Sequence, residues 1–75
     1  MITEYSKIIL TVDLPEYNLE KGDVGIVVMI HNDGAGFEVE FMALNGETIT
    51  VATLGATMVR TVSSHEIAHV RSLVA

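Results

Sequence analysis

The stretch Phe37-Glu38-Val39-Glu40-Phe41 decides the fold. Large apolar and acidic side chains alternate in it with a period of two, which puts Phe37, Val39 and Phe41 on one face of a strand and Glu38 and Glu40 on the other. A helix would mix the two sets around its circumference. Asn45-Gly46 follows shortly after, and this dipeptide favours the positive φ values of a tight hairpin. The strand over 37–42 therefore turns back into a second one over 47–54 (ETITVATL), with Ile49 and Val51 as its expected core residues.

The rest of the chain extends this pattern in both directions. Asn32-Asp33-Gly34-Ala35-Gly36 is rich in residues that tolerate left-handed backbone and reads as a turn. Before it, residues 24–31 (VGIVVMIH) are apolar on both strand faces, the mark of a strand buried on two sides. Residues 13–23 (DLPEYNLEKGD) hold the only proline and four of the ten acids, and read as a long polar loop. A first strand is expected over 5–12 and a short fifth over 58–62, leaving a tail over 63–75 as a short helical turn or an extended segment. The layout is all-β: a five-stranded SH3-like barrel spanning residues 1–75 as one domain. Closing a short sheet into a barrel hides its edges.

Bulk properties narrow the function classes. Cysteine is absent, which removes disulfides and thiolate zinc sites. Without such staples a 75-residue chain relies on an efficient core or on self-association. A hydrophobic fraction of 49% and a mean hydropathy of +0.45 argue against disorder. The longest apolar run, Val24 to Ile30, falls far short of the ~20 residues that a bilayer requires. The first residues lack a basic segment followed by a long apolar one, so no signal peptide is expected and the cytoplasm is the expected compartment. Ten acids against four bases give a net charge of −6. Only Lys7, Lys21, Arg60 and Arg71 oppose that charge, which disfavours nucleic acid and suits a basic protein partner.

With these elements placed, the string DLPE…KGDVGIVV…FEVEF…NGETITVATL resembles the small bacterial domain-of-unknown-function family number 4926. The resemblance runs from Asp13 to about Arg71. Leu14-Pro15, Gly22-Asp23-Val24-Gly25 and Phe37 to Phe41 carry it, and it extends more weakly into EIAHVR. It implies an SH3-like barrel and brings no catalytic residue set. Because members are often encoded beside another small protein, it also implies a protein partner, in a pairing of the toxin–antitoxin kind. Residues 21–28 (KGDVGIVV) resemble as well the glycine-containing strand of ribosome- and transcription-associated SH3-like modules. A glycine there lets an RNA or protein backbone come close, so an RNA-associated module is the alternative reading.

His65-Glu66-Ile67-Ala68-His69 spells the H-E-x-x-H pattern of zinc hydrolases. That chemistry needs both histidines on one face of a helix, a glutamate to activate water, and a third ligand. After His69 only VRSLVA remains, with no ligand to complete the set, and His31 lies far off at a strand end. Ser63-x-x-Glu66 is a capping-box pattern that favours a helical turn over 64–69. On an extended tail the two histidines would instead stand ~13 Å apart, beyond any shared metal. The tail thus reads as a packing segment, with Ile67, Val70 and Leu73 or Val74 set against the barrel or a neighbour.

Other candidates read as surface chemistry. Glu38 and Glu40, about 7 Å apart on one strand face, form an acidic patch that Glu47 extends. Tyr5 and Tyr17 are too few for an aromatic peptide groove. Asp13, Glu16, Glu20 and Asp23 crowd one loop without the regular spacing of a calcium site, and Asp23 is expected to bond within its turn. The expected function is a non-catalytic protein-interaction module without a cofactor or metal. It would self-associate or bind a partner through Glu38, Glu40, Glu47, Ile67, Val70 and Leu73.

Overall fold

A computed structural model describes residues 1–73 of the chain. Five strands form it: β1 (Lys7–Leu10), β2 (Val24–His31), β3 (Gly36–Met42), β4 (Thr48–Gly55) and β5 (Val59–Thr61). They build one antiparallel sheet in the order β4-β3-β2-β1-β5. Pairing of the first strand with the last, after a long β1–β2 loop, is the order of an SH3-like barrel. The fold class is thus the expected all-β one, although the barrel is left open: among the described residues no pairing joins β4 to β5.

The alternation of β3 holds. Phe37, Val39 and Phe41 are buried, while Glu38 and Glu40 lie outward and are half-covered. Opposite these core residues stand Ile30 and Val27 on β2 and Leu54, Ala52 and Thr50 on β4. Ile8, Leu10 and Val59 complete the core from β1 and β5.

Three expectations fail. Ile49 and Val51 do not enter the core; they are 37% and 49% exposed, and Ala52 and Leu54 are buried in their place. The register sets Phe41 opposite Thr50 and Phe37 opposite Leu54, so even-numbered residues of β4 share the inner face. Ile49 is the extra residue of a bulge between Thr48 and Thr50. Nor is β2 buried on both sides. Val24 and Met29 are exposed on the outer face, and a bulge at Val28 resets the phase so that Val27 and Ile30 both oppose core residues of β3. Apolar residues on both faces here reflect an insertion rather than a two-sided core. Thirdly, β1 is shorter than expected, because Tyr5 takes a positive φ of 67° and precedes regular pairing.

The β1–β2 loop is less polar in role than in composition. A 3-10 turn over Pro15–Tyr17 and a left-handed Asn18 fold it back so that Leu14 pairs with Leu19. Both leucines are buried in the core. Asp13 Oδ1 accepts from the Lys21 N–H at 2.8 Å, and Asp23 Oδ2 accepts from the Glu20 N–H at 2.7 Å, the turn bond expected of Asp23.

Gly25 faces the core. A Cβ built on it would lie 2.5 Å from Val39 Cγ1 and 2.8 Å from Phe41 Cε1. The close approach that this strand glycine permits is therefore made by the chain's own β3 side chains, not by an outside backbone.

Candidate interaction surface

Residues directly opposite in an antiparallel sheet share a face, so the register alone assembles the outer surface. One row runs Lys7, Ile26, Glu40, Val51 across β1 to β4, and the next runs Met29, Glu38, Thr53 across β2 to β4. Apolar side chains of β2 and β4 thus flank the carboxylates of β3. Met42 adds a further exposed apolar group on β3, and Leu44 projects from the hairpin turn beside it. A shallow depression at this end of the face is lined by Val24, Ile26, Glu40, Met42 and Leu44.

The carboxylates are held in place. Glu38 Oε2 accepts from Thr53 Oγ1 at 2.7 Å and from His31 Nε2 at 2.8 Å. The Thr53 hydroxyl, and after it the His31 hydrogen bond, hold the Glu38 carboxyl below its ordinary range. Glu40 Oε2 accepts from Thr48 Oγ1 at 2.6 Å. Glu47 does not join them: it closes the hairpin turn, where its Oε1 accepts from Asn45 Nδ2 at 2.9 Å and its N–H donates to Asn45 Oδ1. Gly46 there has φ 94°, the left-handed conformation that the sequence leads one to expect.

The tail departs from expectation. The Ser63–Glu66 capping contacts do form: Glu66 N–H donates to the Ser63 carbonyl at 3.3 Å, and the Glu66 carboxylate accepts from the Ser63 N–H at 2.7 Å. The turn ends there, however, and no helix continues to His69. Glu66 is engaged by Arg60, whose Nη1 and Nη2 donate to its two oxygens at 2.9 and 2.6 Å. That paired hydrogen bond, the Ser63 N–H and the guanidinium charge together bring the Glu66 carboxyl down to about 2. His65 and His69 are exposed on either side. Among the described residues no three His, Asp or Glu side chains gather as a metal site would require.

A second clamp follows. Arg71 Nε donates to Asp23 Oδ1 at 3.0 Å, Arg71 Nη2 donates to Asp23 Oδ2 and to the Asn18 carbonyl, and Asn18 Nδ2 donates to the Leu73 carbonyl at 2.9 Å. Burial pushes the Asp23 carboxyl up. Its bonds to Arg71 and to the Glu20 N–H, with the Arg71 charge, outweigh burial and leave it lowered. The second clamp is not visible as a local motif, since Arg71 and Asp23 stand 48 positions apart. Between the clamps, Ile67 and Val70 are 94% and 71% exposed, so they do not pack on the barrel as one branch of the expectation had it. Leu73 is half-buried. Val74 lies outside the described residues.

Tyr5 and Tyr17 are both exposed and belong to different loops. No helix among the described residues is long and apolar enough to cross a membrane.

The family described as Domain of unknown function (DUF4926) matches residues 4–61, more than half of the chain. The chain belongs to that family. The match takes in all five strands, including the β1 segment that precedes Asp13, and stops short of EIAHVR. The tail residues Ile67 and Val70 therefore have no support from the family. No curated protein and no solved structure matches the chain.

Proposed function

We propose that this chain, as a member of that family, is a non-catalytic protein-interaction module of the cytoplasm. It self-associates or binds a genetically linked partner in the manner of an antitoxin. The observation that carries the reading is the outer sheet face, where exposed Val24, Met29, Met42 and Val51 surround two pinned carboxylates, Glu38 and Glu40. Scattered apolar side chains are ordinary on a surface, but apolar groups gathered on one face around fixed carboxylates are what an interface offers. The carboxylates favour a partner with basic groups set among apolar ones. Exposed Ile67 and Val70 provide a second apolar element on the tail.

Co-expression with the product of the neighbouring gene, followed by size exclusion with light scattering, tests the reading. A stable complex or a homo-oligomer is expected, and a Glu38→Lys, Glu40→Lys double variant should weaken the complex with a basic partner at least tenfold while leaving the fold intact. A wild-type chain that stays monomeric and binds no neighbour product refutes the proposal.

A further inference from the structure

The two edges of the sheet are built differently. β5 is three residues long and carries Arg60, whose guanidinium holds the returning tail. This edge is short and charged, as protected edges are. β4 is eight residues long, pairs among the described residues only with β3, and holds five β-branched residues (Thr48, Ile49, Thr50, Val51 and Thr53) with no charge and no proline. It lies within residues 48–59, the longest run of the sequence without Asp, Glu, Lys or Arg. Nothing in its composition blocks another strand.

The backbone phase of this edge follows from one bond. Ala56 N–H donates to the Ala35 carbonyl at 3.2 Å, one step beyond the Gly36–Gly55 pair. Hydrogen-bonded and non-hydrogen-bonded pairs alternate along an antiparallel ladder. The N–H and C=O groups of Leu54, Ala52 and Thr50 therefore face β3, while those of Val51 and Thr53 point to the open edge. The register is regular from Thr50 to Gly55, and the Ile49 bulge lies outside that span.

We propose that β4 pairs antiparallel with β4 of a second copy about a two-fold axis at Ala52, joining two five-stranded sheets into one. Val51 and Thr53 of each copy then exchange backbone hydrogen bonds with Thr53 and Val51 of the other, and Thr50 stands opposite Leu54. Self-complementarity selects a second copy as the occupant: a two-fold at Ala52 matches the open N–H and C=O groups of Val51 to those of Thr53. Each chain carries −6, so two copies meet most readily through an uncharged segment. A basic partner gains nothing from this edge and is drawn to Glu38 and Glu40 instead. The inference rests on the interaction reading above and deepens its self-association branch.

Sedimentation velocity over a concentration series gives the test, read beside a Val51→Lys variant. Val51 is half-exposed on the outer face, so the change spares the core while placing a cation on the edge. A wild-type dimer is expected, with its dissociation constant raised at least tenfold in Val51→Lys. Cysteine trapping checks the register, since the natural chain has no thiol. In an oxidised equal mixture of Val51→Cys and Thr53→Cys chains, the mixed disulfide should form at least several-fold faster than either homodimer, and a Val24→Cys control on β2 should not trap. A monomeric wild type overturns the pairing, and so does a dimer that Val51→Lys leaves unchanged or that Val24→Cys traps best. Either result leaves the interaction module itself to the co-expression test, where a neighbour complex without homodimer would still sustain it.

Discussion

Replacing Gly25 with alanine isolates a single steric term. Its backbone does not require a glycine for conformational reasons, since its φ is not in the left-handed region, unlike those of Gly22, Gly34 and Gly46. The cost of Gly25→Ala therefore comes from space. The new methyl would sit 2.5 Å from Val39 Cγ1, 2.8 Å from Phe41 Cε1 and 3.0 Å from Phe41 Cδ1, against an optimum of about 3.5–4.0 Å. Neither neighbour has room to withdraw, because Val39 and Phe41 are among the most deeply buried side chains. Overpacking of this kind costs about 1–3 kcal/mol. Removing a glycine from the unfolded chain returns about 0.4–1 kcal/mol, so a net loss of about 1–2 kcal/mol is expected. For a chain of this size that lowers the melting temperature by roughly 5–15 °C.

A double-mutant cycle with Val39→Ala makes the argument specific. Val39→Ala alone leaves a cavity and costs about 2 kcal/mol, but it also removes the closest clash. The double variant should be more stable than the sum of the singles predicts by about 1 kcal/mol. The Phe41 contacts persist, so recovery is incomplete. Thermal and urea denaturation of the four proteins measure this directly. An unchanged or raised melting temperature for Gly25→Ala, or strict additivity in the cycle, refutes the assignment of this glycine to core packing. A glycine kept for the approach of RNA would instead leave stability alone and alter binding.

The clamps yield two further predictions. The Glu66 carboxyl, lowered to about 2, contributes stability that is present above its unfolded value near 4.5 and is lost as pH falls from there toward 2. A carbon-detected titration should place its midpoint near 2, with tail amides shifting in step; a midpoint at 4 or above means that the bidentate Arg60 pair does not persist in solution. Arg71→Gln leaves the half-buried Asp23 carboxylate, among the described residues, with the Glu20 N–H as its remaining partner, and should cost about 1–2 kcal/mol, between exposed and buried pairs. Hydrogen exchange should then rise in the Leu14–Leu19 segment, and a change below about 0.3 kcal/mol would discount the clamp.

Much of the fold is legible because its strands obey local rules. The bounds of β2 fall at 24–31 as read from composition, and β3 is set by its alternation alone. The inner face of β4 is hidden by two irregularities that cancel. The hairpin closes between Ala43 and Glu47 over three residues, which alone would set Phe41 against Ile49, and the bulge at Ile49 moves its partner to Thr50. Hydropathy favours Ile49 and Val51 instead, and on an open edge hydropathy loses to register. The sequence also hides a backbone choice and a long-range pair: the Leu14–Leu19 bridge depends on a left-handed Asn18, and the Arg71 clamp depends on Asp23, 48 positions away.

The tail bears on why the outer surface stays apolar. Arg60, Ile9 and Val24 form one row across β5, β1 and β2. Glu66 is clamped at the Arg60 end, and Arg71 is clamped at Asp23, beside Val24. Ile9 is only 7% exposed although it stands apart from the main core cluster, so the outer side of β1 is covered along this row. A tail that docked by hydrophobic burial would have used Ile67 and Val70 for that purpose and left a mostly polar exterior. Here guanidinium–carboxylate pairs fix the segment instead, and the two apolar side chains between them face outward. Ion pairs near a surface add little net stability, but they fix orientation. A segment held by charge and presenting its apolar residues to solvent is suited to meeting a second molecule.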